Sequence, residues 1–508
     1  MAKIQTPLGE IQGLSYKNGM AFRGIRFAEA PVGEKRFRPP KPVTPWTGIY
    51  DATEFGPSAP QPNMMSPDMP LQLPVEPTDE DCLFLNVYTP TADHQKRPVL
   101  FWIHGGGYIV GSGQAYDGSV FVQEHDVVVV SINYRMGALG FMHLGHLAPG
   151  LEGSVNNGIL DQICALEWVR DNISAFGGDP GNVMIFGESA GGTSTAMLLG
   201  CPRAEGLFHK AVVHSPHVDL IPVSEGCEDF TNRCIKRLGG DPATNGLATL
   251  MGASVDELNN LVIPDFNDPK SMQPPALSTR TAANVSFSPA IDGTLIPRPV
   301  ADTVSARGKN NVPILGGGCR HEGTLFPTAL GFKPDGSEFD EAQARNMFAA
   351  AGIDPQRALD VYEQFAPNST AHQKLVYSLT DTMFRNSMVR ILDAAADGGS
   401  PCWSWMCTWE TDLPNLRATH AIELTFIWGW MSDDSQPEMQ AYAGTGAPQD
   451  LGRVMREYWV TFAQTGLPSA AGEPTWTPYN TTNRSVLLLD AERTVVSDLD
   501  ADVRKLWF

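Results

Sequence analysis

Residues 182–200 read NVMIFGESAGGTSTAMLLG. An apolar run ends on Gly187, a single serine follows at 189, and Ala190, Gly191 and Gly192 open a second run suited to a helix. Inside a strand or a helix that cluster of small residues is costly, because glycine gives up more backbone freedom on folding than any other residue. Gly187-Glu188-Ser189-Ala190-Gly191 is G-x-S-x-G between a strand and a helix. There the serine sits on a sharp turn, in backbone space most residues avoid, and small neighbours let chain segments pass closely. The turn lifts Oγ clear of the sheet at the positive end of the next helix. The bare pattern is weak evidence, since glycine and serine are common. The strand–turn–helix context makes it specific and argues against a tight turn with an incidental serine.

Outward from the turn, strand and helix alternate. RPVLFWIHGG (97–106) reads as a buried strand leading into a glycine loop, and DVVVVSINY (126–134) as a second strand. In NNGILDQICALEWVRDNISAFGG (156–178), Ile159, Ile163, Leu166, Val169, Ile173 and Phe176 recur at steps of three and four. That predicts a helix with one apolar stripe, asparagine-capped at its start and glycine-capped at its end. HKAVVHSP (209–216), NVPILGGG (311–318) and CWSWMCTWE (402–410) supply later strands. The alternation implies an α/β fold with a central, mostly parallel sheet flanked by helices. One body over residues 1–508 is expected, with helical insertions at 217–285 and 325–400 forming pocket walls. The proline- and methionine-rich stretch 58–77 reads as an irregular loop: either a surface excursion, or an adaptable apolar wall carrying Met64, Met65 and Met69.

A serine alone is a poor nucleophile. It needs a base, the base needs an orienting acid, and the developing oxyanion needs donors. After this kind of turn the acid follows the serine in the chain and the histidine follows the acid. Glu322, in NVPILGGGCRHEGTLF, falls just past a strand, with Gly323 beside it to admit a turn. Asp292, in PAIDGTLIP, competes but fits better as a turn former through its side chain. Beyond Glu322 stand only His372 and His420. His372 reads as a surface residue at a helix start; His420 follows a strand and a loop, where a base is expected. Oxyanion donors are assigned to the N–H groups of Ala190 and of Gly106 and Gly107 in IHGGGY. A phosphate-cradle reading of that loop fails, because the lysine and Ser/Thr of a P-loop are absent. Neither a metal nor an organic cofactor is implied for the reaction.

The formal charge is −21 over 508 residues, with 57 acidic and 36 basic side chains. Such a surface argues against nucleic-acid or anionic-membrane partners. No run approaches the ~20 apolar residues of a membrane span, and no secretory signal is visible at the start. The eight cysteines (82, 164, 201, 227, 234, 319, 402 and 407) are scattered, which suggests neither a disulfide framework nor a zinc site. The Asn-X-Ser/Thr triplets at 172, 284, 368, 480 and 483 are read as chance.

FGESAGG (186–192), EDCLFLNVYTP (80–90), FRGIRFAEAPVGEKRFRPP (22–40), HEGTLF (321–326), EYWVTFAQTGLP (457–468) and the pattern His420, Glu423, Phe426, Gly429 together resemble the type-B carboxylesterases of the cholinesterase family. The resemblance spans nearly the whole chain. It implies the α/β-hydrolase fold, a Ser189–Glu322–His420 triad, and an oxyanion hole of Gly106, Gly107 and Ala190. It further implies Ser215 as a hydroxyl partner of Glu322, with an ordinary buried hydroxyl as the alternative, and Glu188 as a buried, hydrogen-bonded acid and not a reactant. Secreted members pair the cysteine of the second motif with one upstream. Cys82 has none before it, which points to a reduced, cytoplasmic, bacterial-type member. Arg26 stands where the family usually has proline, and HSPHV (214–218) replaces a serine–glycine pair, so His217 is placed at the site rim. The expected substrate is a small, apolar ester, and a monomer is the default. Carbamates or activated amides are open alternatives, as is a catalytically inactive binding member. Loss of activity is expected as His420 protonates, near or below neutral pH.

Overall fold

A computed structural model describes residues 1–62, 77–263, 287–326, 341–350, 352–433 and 435–508, without the side chains of residues 343, 347, 350 and 372. The strands are β1 (Ala2–Thr6), β2 (Gly9–Tyr16), β3 (Gly19–Arg26), β4 (Ile49–Asp51), β5 (Phe84–Thr89), β6 (Arg97–Ile103) and β7 (Val128–Ile132). They continue with β8 (Gly178–Glu188), β9 (Lys210–His214), β10 (Ile314–Cys319), β11 (Cys402–Cys407), β12 (Ser485–Leu489) and β13 (Thr494–Ser497). All join one sheet in the order β1-β2-β3-β5-β7-β6-β8-β9-β10-β11-β12-β13, with β4 beside β2. The run from β7 to β12 is parallel; the flanks are antiparallel except for β4, which runs parallel to β2. Those antiparallel flanks carry no sequence signal as strong as the buried central runs.

Along the central strands successive residues divide between the two faces. Val99, Phe101, Ile103, Val183 and Ile185 enter one buried cluster; Leu100, Trp102, Met184 and Phe186 enter the other. That is the two-residue period of a strand covered on both sides. The helix Leu451–Thr465 covers the second face, through Tyr458, Trp459 and Phe462.

The helix predicted from residue 156 forms as Asn157–Asn172 and ends in a single 3-10 turn closed by left-handed Gly177, φ 82°. Two details differ from expectation. It has no single apolar stripe, because nearly every side is buried, Asp161 and Gln162 included. Asp161 receives a fork of hydrogen bonds from Arg135 at 2.7 and 2.8 Å, and the Gln162 amide nitrogen donates to Ser194, while its Oε1 has no hydrogen-bond partner among the described residues. Asn156 does not cap the helix with its side chain; it bridges instead to the backbone of Ala290 and the carboxylate of Asp292. Asp292 fixes its own turn as expected, accepting from the N–H groups of Thr294 and Ile296. Arg26 forms a two-pronged pair with Asp81 and lies over Phe84 at 4.5 Å.

Among the described residues, helices occupy Cys227–Arg237, Gly246–Gly252 and Val255–Asn260 in the first helical stretch, and four more lie between Glu341 and Asp397 in the second. Met64, Met65 and Met69, with most of the 58–77 loop, lie outside the described residues. His372 is the second residue of the helix Ala371–Thr380, and its side chain is likewise outside them. Among the described residues no helix is long and apolar enough to cross a membrane.

Candidate active site

The four segments singled out from sequence all leave the carboxyl ends of parallel strands. The glycine loop follows β6, Ser189 follows β8, Glu322 follows β10, and His420 lies beyond β11. In open α/β sheets that edge is where ligands bind.

Ser189 adopts φ 56°, ψ −118°, a strained conformation for a non-glycine residue. Its surroundings hold it there. A Cβ on Gly191 would stand 2.0 Å from the Ile103 carbonyl oxygen, and one on Gly192 1.9 Å from that of His214. These glycines let the nucleophile turn seat directly on β6 and β9. Ser189 N–H donates to the His214 carbonyl at 3.1 Å, and the helix Ala190–Gly200 begins at once. Gly106 has φ 105° and would clash with the Val110 carbonyl if it carried a Cβ, 2.0 Å away; Gly107 has φ 62°. Among the described residues the N–H groups of Gly106, Gly107 and Ala190 have no acceptor. They are therefore available to an anionic oxygen.

Glu322 is buried and fully engaged. Its Oε1 accepts from Ser215 Oγ and from Cys319 N–H, each at 2.6 Å, and its Oε2 meets His420 Nδ1 at 2.5 Å. The turn after β10 is a 3-10 turn, Glu322–Leu325. Gly323 is needed there for space and not for a positive φ: an added Cβ would lie 2.1 Å from the Val376 carbonyl of the neighbouring helix. Left-handed Ala421, φ 63°, starts the helix Ile422–Ile427 and turns the chain just after His420. The His420 carbonyl accepts from Tyr442 Oη at 2.6 Å.

The other ring nitrogen carries a feature that sequence reading missed. His420 Nε2 lies 3.0 Å from Glu188 Oε1. The contact is a charge contact and not an aligned hydrogen bond, since Glu188 Oε1 has no hydrogen-bond partner. The expected hydrogen-bonded state of this buried acid is therefore not found at that oxygen. The Glu188 side chain also explains Gly105, where a Cβ would come within 2.7 Å of Oε2. Ser189 Oγ makes no hydrogen bond among the described residues, so the serine–imidazole link is open; Glu188, beside the serine in the chain, is the residue that meets His420. Unliganded sites commonly show this link loose.

A third carboxylate stands nearby. Glu423, one turn after His420 and fully buried, meets His214 Nδ1 at 3.2 Å and Cys319 Sγ at 2.9 Å. Trp459 Nε1 donates to His214 Nε2 at 3.1 Å, which assigns the His214 proton to Nδ1 and directs it at Glu423. Burial pulls the His420 pKa down, but Glu188, Glu322 and Glu423 outweigh it and lift the imidazole to about 9. Burial raises the Glu188 carboxyl, against the pull of His420. The expectation of a base titrating near or below neutrality is corrected accordingly, because three acids surround one imidazole.

Aromatic rings pack against His420. Phe384 stacks on His420 with centroids 4.6 Å apart, and Phe326 lies 5.2 Å from the same ring. His217 reaches Phe384 at 6.2 Å and Tyr108 at 6.0 Å, and burial followed by the His420 charge lowers it to about 4. Phe384 and Tyr442 carried no sequence signal. Glu423 was visible in the motif, without a role. Among the described residues the one cluster with metal-ligand spacing is His143, His146 and Glu228, on a different loop.

A sequence profile of the Carboxylesterase family matches residues 1–507. The chain is 32% identical over 512 residues to the para-nitrobenzyl esterase of Bacillus subtilis strain 168, covering 99% of this chain and 98% of that one. It is 32% identical over 505 residues to the phenmedipham hydrolase of Pseudarthrobacter oxydans, covering 96% and 94%. Among solved structures, the carboxylesterase of Geobacillus stearothermophilus at pH 6.2 superposes over the full length of both chains, with TM-score 0.86 and 33% identity.

Proposed function

The chain belongs to the carboxylesterase family and is a serine hydrolase of carboxylic esters; on that premise we propose that Ser189 is the nucleophile, His420 the general base and Glu322 the acid that orients it. The observation that carries the assignment is the Glu322 Oε2–His420 Nδ1 contact of 2.5 Å at the crevice where the strained Ser189 turn opens. With Nδ1–H fixed on Glu322, the Nε2 lone pair of the neutral ring takes the Ser189 proton as Oγ attacks the ester carbonyl. The amides of Gly106, Gly107 and Ala190 receive the tetrahedral oxyanion. His420 then protonates the leaving alcohol, and water clears the acyl-enzyme by the same steps in reverse roles. Glu322 holds the ring and stabilises the imidazolium as it forms, while Ser215 and Cys319 donate to its other oxygen.

The rings of Phe326, Phe384 and Tyr108 support an apolar, small-molecule ester as substrate. A single catalytic body with the helical stretches 217–285 and 325–400 as pocket walls, acting as a monomer, completes the proposal. Eight free, buried cysteines support a reducing, cytoplasmic setting. Ser189→Ala tests the assignment: hydrolysis of a p-nitrophenyl ester is expected to vanish while the circular dichroism spectrum is retained. Unchanged turnover would refute it. A series of esters graded in acyl and alcohol size, with one carbamate and one anilide, defines the substrate.

A further inference from the structure

The loop after the helix Gly137–Phe141 places His143 and His146 side by side, with ring centroids 5.8 Å apart and planes within 2° of parallel. Across from them, the helix Cys227–Arg237 presents Glu228, Thr231 and Asn232 on one face, as the spacing of three and four residues requires. One ring nitrogen of each histidine and one Glu228 carboxylate oxygen lie within 4.8 Å of one another. The backbone beneath is already fixed. Thr231 Oγ1 donates to the His143 carbonyl at 2.9 Å, and Ser154 Oγ ties the Met142 carbonyl to the Leu144 N–H.

The three groups do not satisfy one another. His143 Nε2 stands 3.9 Å from Glu228 Oε1, beyond hydrogen-bond range, and His143 Nδ1 is buried with no hydrogen-bond partner. His146 Nε2 contacts Asn232 Oδ1 at 3.0 Å, a partner that fixes its ring and leaves Nδ1 to offer a lone pair.

We propose that His143, His146 and Glu228 form a binding site for a divalent transition-metal ion, which clasps the helix Cys227–Arg237 to the loop that follows Phe141. Two imidazoles and one carboxylate suit Zn²⁺, Co²⁺, Ni²⁺ or Cu²⁺; Mg²⁺ and Ca²⁺ prefer oxygen donors throughout. Bonds of about 2.0–2.2 Å draw the three ligand atoms closer than 4.8 Å. Glu228 is half exposed and free to swing that distance. Water fills the remaining positions. The site is separate from the Ser189 crevice, and ester hydrolysis proceeds without it.

The test is isothermal titration of the chelator-treated, dialysed enzyme with Zn²⁺, and in parallel with Co²⁺ monitored by its visible absorption. One ion per chain is expected. Glu228→Gln, and the double variant His143→Asn with His146→Asn, are expected to weaken binding at least about tenfold and to abolish the Co²⁺ bands, with p-nitrophenyl ester turnover unchanged in metal-free buffer. The exposed Glu228 substitution guards against misfolding of the histidine variant. No binding at millimolar metal, equal binding of Mg²⁺, or binding unaltered in both variants would overturn the proposal.

Discussion

Replacing Glu188 by glutamine removes one charge, and almost no volume, from the ring of acids around His420. The Glu188 carboxylate stands 3.0 Å from Nε2. At that separation two unit charges attract by about 1.4 kcal/mol in a water-like medium and about 5.5 kcal/mol at an effective dielectric of 20. With about 1.4 kcal/mol per pH unit, the charge raises the imidazole by roughly 1 to 4 pH units. A rise from 6.5 to about 9, against the cost of burial, falls inside that range. Because the base acts only when neutral, wild-type kcat/KM is expected to rise with pH through the alkaline region, and Glu188→Gln to move that limb down by at least about one pH unit. The assay is initial-rate hydrolysis of a p-nitrophenyl ester from pH 5 to 10, read at the wavelength where nitrophenol and nitrophenolate absorb equally so that the ionisation of nitrophenol does not enter. Since the two groups titrate jointly, the profile reports the pair and not either residue alone. A wild-type limb centred at or below pH 6.5, or one unmoved in the variant, would refute the reasoning.

Three further outcomes follow from the same contacts. A folded-state imidazole raised from 6.5 to about 9 contributes stability that is complete below pH 6.5 and lost as pH rises through 9, so unfolding free energy from urea titrations should fall by about 3 kcal/mol across that window. Gly106→Ala forces a Cβ to within 2.0 Å of the Val110 carbonyl oxygen; displacing that donor should lower kcat on the order of 10²- to 10³-fold with a smaller change in KM, as steady-state kinetics would show. Arg135→Met leaves Asp161 charged and buried without the fork that holds it, and should cost about 3–5 kcal/mol in urea unfolding.

The central sheet was legible because buried parallel strands announce themselves as unbroken apolar runs, as in Val99–Ile103 and Val128–Ile132. The nucleophile turn was legible because only small residues survive the approach of Ile103 and His214 backbone to Gly191 and Gly192. Chain order then singled out Glu322 and His420. What stayed hidden depends on distant residues meeting. The Glu188–His420 contact joins positions 232 residues apart in sequence, whose only local sign is an ordinary glutamate. The His214–Glu423–Cys319 cluster looks, in sequence, like three unrelated buried positions. The apparent stripe of the helix Asn157–Asn172 failed as a guide to its exposure because Arg135 and Ser194 reach in to bond Asp161 and the Gln162 amide nitrogen on its polar side. Asn156 failed as a cap because Ala290, more than a hundred residues on, claims its amide.

Covalent trapping probes the three-residue machinery most directly. A p-nitrophenyl phosphonate mixed with the enzyme should release one nitrophenolate per chain and leave one phosphonyl group, located by peptide mass spectrometry on Ser189. In His420→Ala the rate of that reaction should fall on the order of 10³-fold or more. An adduct on another residue, or trapping that proceeds undiminished without the imidazole, would contradict the account.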